Sequence, residues 1–405
     1  DSTDETCDIV DALVSELQTA GHDIQVVRRT DRIGYKAGAL RVGMDICKGE
    51  YISIFDADFV PPVDFLRKLV PALKSDAKIA FAQARWGHLN SQQSLLTRAQ
   101  TIGIDGHFMI EQCARGYNKL FLNFNGTAGL WRKEAIYDGG NWQDDTLTED
   151  MDLSYRCQLA GWTASYFPDI VVPAELPESY TAFKSQQFRW AKGSVQTALK
   201  IMPRVARSDA SLFAKVQAFL HMTHYCIHPL MALMALLALP VLLHTEISLS
   251  AWQFMPFALA IFIAMTGPSA LYCVSQFTQG RSKGWRLLHL PGLVCIGVGI
   301  ALSNTRAVFE AFAGVTSPFV RTPKSGDKKK SYRTKANWFP ALELLMGVYC
   351  AFSFTHYLQA EKYLVGPFLL IYTLGFLIIG SRSLLEQFDL GPRFFARTPQ
   401  SVKVT

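Results

Sequence analysis

The chain has 405 residues, 49% hydrophobic and 18% charged, with a formal net charge of +6. That length is more than one ordinary core needs, and that composition is too apolar for a wholly soluble protein. The positive excess is local, and no base-stacking motif accompanies it, so a nucleic-acid partner is not expected. Charges are spread from Asp1 to about Arg207, whereas long apolar runs dominate from about Phe213 onward. Two units are therefore expected: a soluble α/β domain over 1–207 and a helical transmembrane domain over 208–405. The eight cysteines stand singly with no CxxC spacing, which reads as free thiols in a reducing compartment.

The opening DSTDETCD is neither signal peptide nor initiator segment. It reads as a loop entering a helix, with a strand expected ahead of it. Thr6 to Gln18 has helical spacing, with Ile9, Leu13 and Leu17 on one face. Asp23 to Arg28 contains a short strand, IQVV, and Lys36 to Asp45 is helical again. Tyr51 to Phe55 is a buried strand ending at Asp56. Asp64 to Leu73 is a helix behind Pro61-Pro62, and Ile79 to Gln83 is another strand. This βαβα alternation predicts a largely parallel, Rossmann-like nucleotide-binding sheet, whose ligands gather at the carboxyl ends of its strands.

Four membrane-spanning candidates follow, near Phe219–Leu243, Trp252–Phe277, Trp338–Leu358 and Val365–Ile379. A fifth apolar stretch, Leu287–Leu302, has a basic flank upstream (Arg281, Lys283, Arg286) and a basic loop downstream. With both flanks cytoplasmic, this segment is expected to dip in or lie along the interface rather than cross. The loop itself (Arg321, Lys324, Lys328, Lys329, Lys330, Arg333, Lys335) fits the positive-inside bias, and the tail with Arg393, Arg397 and Lys403 falls on the same side.

Three short motifs carry chemistry. Asp56-Ala57-Asp58 puts two carboxylates one residue apart at a strand end, where they can hold a divalent cation that also grips a diphosphate. A solvated turn is the commoner meaning of such a triplet. Thr148-Glu149-Asp150 opens a helix, so a carboxylate there can serve as general base. Acids also decorate helix N-termini simply because of the dipole. Gln186-Gln187-Phe188-Arg189-Trp190 lies on an amphipathic helix beside the membrane. Its arginine suits diphosphate oxygens and its tryptophan a sugar ring, although Arg and Trp also anchor interfacial helices. Asn125-Gly126-Thr127-Ala128-Gly129 supplies small residues for either a close sugar approach or a plain tight turn.

In this order, DxD, TED, QxxRW and then membrane spans resemble the processive members of the inverting family-2 glycosyltransferases, which include cellulose, chitin and hyaluronan synthases. Asp31-Arg32 with Gly34-Tyr35-Lys36-Ala37-Gly38-Ala39-Leu40, the segment IFDADFVPPVDFL, Gln83-Ala84-Arg85-Trp86, FNGTAG from Phe124 to Gly129, and TEDMDL from Thr148 to Leu153 look like the plant cellulose-synthase-like A and C groups and their bacterial relatives. Those make β-mannan, glucomannan or β-1,4-glucan. The resemblance implies a GT-A catalytic domain and a helical membrane domain, and an enzyme taking GDP-mannose or UDP-glucose with Mg²⁺ or Mn²⁺. It further implies a polysaccharide or glycolipid acceptor, lipid around the helices, and a multi-pass protein of the plasma, inner or Golgi membrane with its catalytic side in the cytoplasm.

Carried over residue by residue, the resemblance makes Asp56 and Asp58 holders of the cation and the diphosphate. It makes Asp150 the base, and gives Gln186, Arg189 and Trp190 the donor diphosphate and the acceptor's terminal sugar. Asp1 matches a nucleoside-holding position, Lys36 matches the KAG lysine near the nucleotide, and Phe319-Val320-Arg321-Thr322-Pro323-Lys324 resembles the synthases' gating loop, with Arg321 in place of the usual Val. The alternative is single transfer to a lipid, as in ceramide glucosyltransferase, and a polymeric product separates the two. A channel or transporter is disfavoured because, apart from Glu343, the spans lack interior charges. His221, His224 and His228 recur on one helical face but are read as interfacial or bundle-facing residues rather than zinc ligands.

Overall fold

A computed structural model describes residues 2, 5–244, 251–279, 284–317, 337–363 and 365–388. Asp1, the 319–324 segment, most of the basic loop and the C-terminal tail lie outside the described residues.

The catalytic half begins with α1 (Thr6–Thr19) and α2 (Tyr35–Ile46), followed by β1 (Tyr51–Ile54), α3 (Phe65–Ser75) and β2 (Ile79–His88). Next come α4 (Leu95–Gly106), a π-helical turn over His107–Gln112, and α5 (Cys113–Tyr117). β3 (Gly129–Arg132), α6 (Lys133–Asp138), α7 (Glu149–Leu159) and β4 (Thr163–Ala174) complete it. The sheet order is β1-β3-β2-β4. β3 runs antiparallel to both β1 and β2, and β2 pairs parallel with β4. Three strands thus share one direction and β3 runs against them, which is the mixed sheet of a GT-A domain. β3 is the antiparallel member of a sheet expected to be largely parallel, because the chain returns through the Asn125–Ala128 loop and inserts between β1 and β2.

The sheet is buried on both faces, as the continuous apolar start of β2 requires. Phe81 and Trp131 face a core with Ala37, Met44, Trp142 and Leu153, beneath α2 and α7. Ala82 and Leu130, one residue along each strand, face the opposite core. There Phe65, Leu69 and Leu73 of α3 stack at i, i+4 and i+8. The IQVV segment is extended, with Ile24 and Val26 half-buried, yet forms no ladder with another strand among the described residues. Extended backbone becomes a strand only when a neighbour shares its hydrogen bonds.

From β4 the chain enters α8 (Tyr180–Arg207), which carries the QxxRW residues. Ser179 starts it, its hydroxyl accepting from the Ala182 N–H. The helices beyond are α9 (Leu212–Thr223), α10 (Ile227–His244), α11 (Ala251–Phe277), α12 (Gly284–Leu287), α13 (Leu290–Gly299), α14 (Ala301–Phe312), α15 (Phe339–Gln359) and α16 (Gly366–Gln387). Among the described residues, four segments are long and apolar enough to cross a membrane: Leu212–His244, Ala258–Phe277, Phe339–Gln359 and Gly366–Gln387. The fifth apolar stretch is broken, α13 and α14 meeting at a 46° bend. Arg286, expected as a flanking charge in water, is instead buried and lies 3.7 Å from Asp105 of α4. The three histidines go to separate partners: His221 to Tyr155, His224 to the His221 carbonyl and His228 to Asn304.

Candidate active site

The carboxyl end of β1 opens on Asp56. Its backbone N–H donates to Thr127 Oγ1 at 2.9 Å, and its carboxylate pairs with Lys36 Nζ at 2.7 Å. Lys36 projects from the first turn of α2 and also donates to the Gly126 carbonyl at 2.9 Å. Gly126 lies at φ +80°, a left-handed conformation that suits glycine. A methyl group there would stand 2.9 Å from Asp150 Oδ2 and 3.4 Å from Lys36 Nζ. One backbone position therefore brings the KAG lysine, the DxD aspartate and the TED aspartate together. Asp58 is half-buried two residues beyond Asp56.

The Asn125–Thr127 loop is itself held from below. Gln83 of β2 accepts from the Asn125 N–H at 2.9 Å and donates to the Thr127 carbonyl at 3.1 Å. The π-helical turn grips the Asn125 side chain, with Gln112 Nε2 at 2.5 Å and the His107 ring at 3.1 Å. π-helical turns insert one extra residue and recur at functional sites.

Glu149 and Asp150 form the first turn of α7, half-buried in the crevice. Burial and the neighbouring Glu149 charge push the Asp150 carboxyl up to about 7, against the opposing pull of Lys36. Burial raises Glu149 as well, while Lys36 and Arg189 resist. At Lys36, burial works against the ammonium, but Asp56, Glu149 and Asp150 outweigh it and the net direction is upward. Arg189 is lowered by burial, opposed by Glu149 and Asp56. The charges thus interlock: two cations, Lys36 and Arg189, face three carboxylates across one crevice.

α8 brings Arg189 there by docking on the start of α7. A methyl at Gly193 would lie 2.6 Å from Thr148 Cγ2 and 2.9 Å from its backbone N, so only glycine permits this approach. Gln196 accepts from the Leu147 N–H at 3.1 Å, and Thr197 meets Thr148 hydroxyl to hydroxyl at 3.0 Å. Lys200 pairs with the buried Asp152 at 3.0 Å, and Arg156 reaches the other oxygen of that carboxylate at 2.8 Å. Gln186 and Trp190 are half-buried and share a face of α8 with Arg189.

The structure thus brings together Lys36, Asp56, Asp150 and Arg189 of the sequence-predicted set, with Asp58, Gln186 and Trp190 on the same loop and helix. Sequence reasoning missed the supports: Gln83, Thr127, His107, Gln112, Gly193 and the Asp152–Lys200 pair. Only Gly193, a glycine inside a long amphipathic helix, carried a local signal of close packing. Asp56 and Asp58 suit a hard cation such as Mg²⁺ or Mn²⁺, since both offer carboxylate oxygens at a strand end. No cluster of three or more potential ligands occurs among the described residues. That donor set fits an ion held by one or two carboxylates together with substrate phosphates.

A sequence model of the glycosyl transferase family group 2 matches residues 51–266. A probable glucomannan 4-beta-mannosyltransferase of Arabidopsis thaliana is 31% identical over 94% of this chain and 87% of its own length. A glucomannan 4-beta-mannosyltransferase of the same plant is 42% identical, over 53% of this chain and 41% of its own. A probable one from Oryza sativa subsp. japonica is 46% identical, over 53% and 38% respectively. For several of these curated relatives the matched part is thus well under two thirds of their length. A solved mannosyltransferase from Pyrobaculum calidifontis, in complex with GDP-Man and Mn²⁺, superposes with a TM-score of 0.49 at 18% identity, over 76% of this chain and 75% of that one.

Proposed function

The chain belongs to the family-2 glycosyltransferases, and on that premise we propose that it extends a β-1,4-linked, mannose-containing polysaccharide from GDP-mannose, with Asp150 as base. The observation that carries the assignment is Asp150 Oδ2 against Gly126, beside the Lys36–Asp56 pair, at the carboxyl end of the sheet. Of the two donors considered, only GDP-mannose delivers the mannosyl group in the relatives' names.

The acceptor hydroxyl attacks the anomeric carbon while the bond from that carbon to the diphosphate oxygen breaks. Asp150 takes the hydroxyl proton, and one displacement turns an α-linked donor into a β-linked product. Raised toward neutrality, Asp150 is basic enough to accept that proton. Arg189 and Lys36 offset the charge on the departing nucleoside diphosphate. A divalent cation at Asp56 and Asp58 would supply further neutralisation of the diphosphate when bound. Gln186 and Trp190 hold the donor diphosphate and the acceptor's terminal sugar.

The acceptor chain leaves along a cavity of about 370 Å³ between α8, α14, α15 and α16. Support comes from its lining, where Phe188 and Phe339 sit among hydroxyl and amide side chains such as Ser303, Ser383 and Gln387. Such aromatic and polar walls suit sugar rings. The cytoplasm is the assigned side for the catalytic domain, in keeping with eight free cysteines and the basic loop. Membranes carrying the protein, offered labelled GDP-mannose and UDP-glucose in parallel, test the reading by linkage analysis. A β-1,4-mannosyl polymer is expected. A single labelled glycolipid, or incorporation of glucose alone, would overturn it.

A further inference from the structure

Among the described residues, the helices that follow α8 carry three acidic side chains: Glu310 on α14, Glu343 on α15 and Glu386 on α16. All three grip α8. The Glu386 carboxylate covers its first turn, accepting from the Tyr180 N–H at 2.8 Å, the Thr181 N–H at 2.8 Å and the Thr181 hydroxyl at 2.6 Å. Glu343, fully buried, takes Lys184 Nζ at 2.6 Å and 2.7 Å on its two oxygens. Glu310 takes the buried Lys192 at 2.8 Å and is steadied by Arg306 at 2.7 Å on its other oxygen.

Helical geometry gives this pattern a purpose. Thr181, Lys184, Phe188 and Lys192 form one stripe at i, i+3, i+7 and i+11, facing the C-terminal helices. Arg189, Gly193, Gln196, Thr197 and Lys200 form a second stripe that faces the catalytic domain. A single contact would let α8 slide or turn. Contacts at its first turn, one turn on and two turns beyond that leave one axial position and one rotation. Slipping by one residue would swing Arg189 by roughly 100° around the helix axis, off the crevice. Carboxylates in apolar helices are costly and tend to mark function, and here each of the three, from a different helix, contacts α8.

We propose that Glu310, Glu343 and Glu386 are positioning residues, a three-point clamp by which the C-terminal helices set the register of α8 and so the reach of Arg189 to the donor diphosphate. This rests on the reading of Arg189 as a donor-binding residue. The clamp makes donor binding depend on helices that lie outside the catalytic domain.

The test uses the full chain in membranes, with KM for GDP-mannose and kcat per folded molecule as readouts. Glu386→Ala and Glu343→Gln should each raise the donor KM about fivefold or more and lower kcat. The exchange Lys184→Glu with Glu343→Lys should bring the donor KM back to within about twofold of the parent, which neither single change achieves. Phe376→Leu, in the α16 core away from α8, should lower thermal stability without moving the donor KM. Where Glu386→Ala does not fold, the exchange pair decides the question. If the clamp variants keep the parent donor KM while Arg189→Ala raises it, the clamp is refuted and the donor reading stands. If Arg189→Ala also leaves the donor KM unchanged, the donor reading falls and the clamp with it.

Discussion

If Asp150 is the base, the rate must follow its ionisation. Burial and Glu149 lift its carboxyl to about 7, so at neutral pH only about half of the molecules hold the charged form. The dependence of kcat/KM on pH reports the free enzyme's groups. It should rise through that pH and lose about tenfold for each pH unit below it, or about a hundredfold between pH 8 and pH 5. A carboxylate at its ordinary value of about 4 would leave the profile flat down to about pH 5.5. Glu149→Gln removes a like charge and should move the acid limb to lower pH, while Lys36→Met removes a counter-charge and should move it higher. Initial rates at low donor concentration, from pH 5 to pH 9 in buffers of constant ionic strength, make the measurement. A profile flat above pH 5.5, or a limb that neither variant moves, would refute the electrostatic account of the base.

Asp150→Asn should abolish transfer yet still bind the donor, checked by nucleotide titration. Because the native carboxyl is raised, its contribution to stability is full below the unfolded value of about 4 and is lost as pH rises through about 7. The same variant should therefore melt higher than the parent at pH 8 and alike at pH 4. Gly126→Ala forces a side chain into φ +80° and against Asp150, which should cost roughly 1–2 kcal/mol of stability and lower kcat more than tenfold, read by melting and initial rates. Asp152→Ala strands the buried Arg156 and half of the Lys200 pairing, and a loss of about 3 kcal/mol is expected in thermal denaturation. Excess EDTA should stop transfer, with Mg²⁺ or Mn²⁺ restoring it; full activity in the chelator would remove the cation from Asp56 and Asp58.

Much of this protein is local and therefore legible from its sequence. The stacked Phe65, Leu69 and Leu73 announce α3, the apolar start of β2 announces a doubly buried strand, and four long apolar runs announce spans. DxD, TED and QxxRW each have an ordinary structural reading alone, and it is their order along one chain, followed by apolar spans, that points to the family. What sequence could not supply is everything that depends on contact between distant segments. No local spacing rule tells that Ile24 to Val27 forms no ladder among the described residues, or that β3 inserts between β1 and β2. Nor does Glu343, a lone acid in an apolar run, reveal that its counter-ion is Lys184, far earlier in the chain. The reactivity of Asp150 is of the same kind: its type, its place on a helix and its neighbour Glu149 are local, but the burial that chiefly raises its carboxyl, and the Lys36 charge of α2 that opposes the rise, come from the folded crevice. Sequence periodicity records which face of an element is apolar, while the field at an atom is a sum over whatever the fold brings near it, and only the tertiary structure decides that sum.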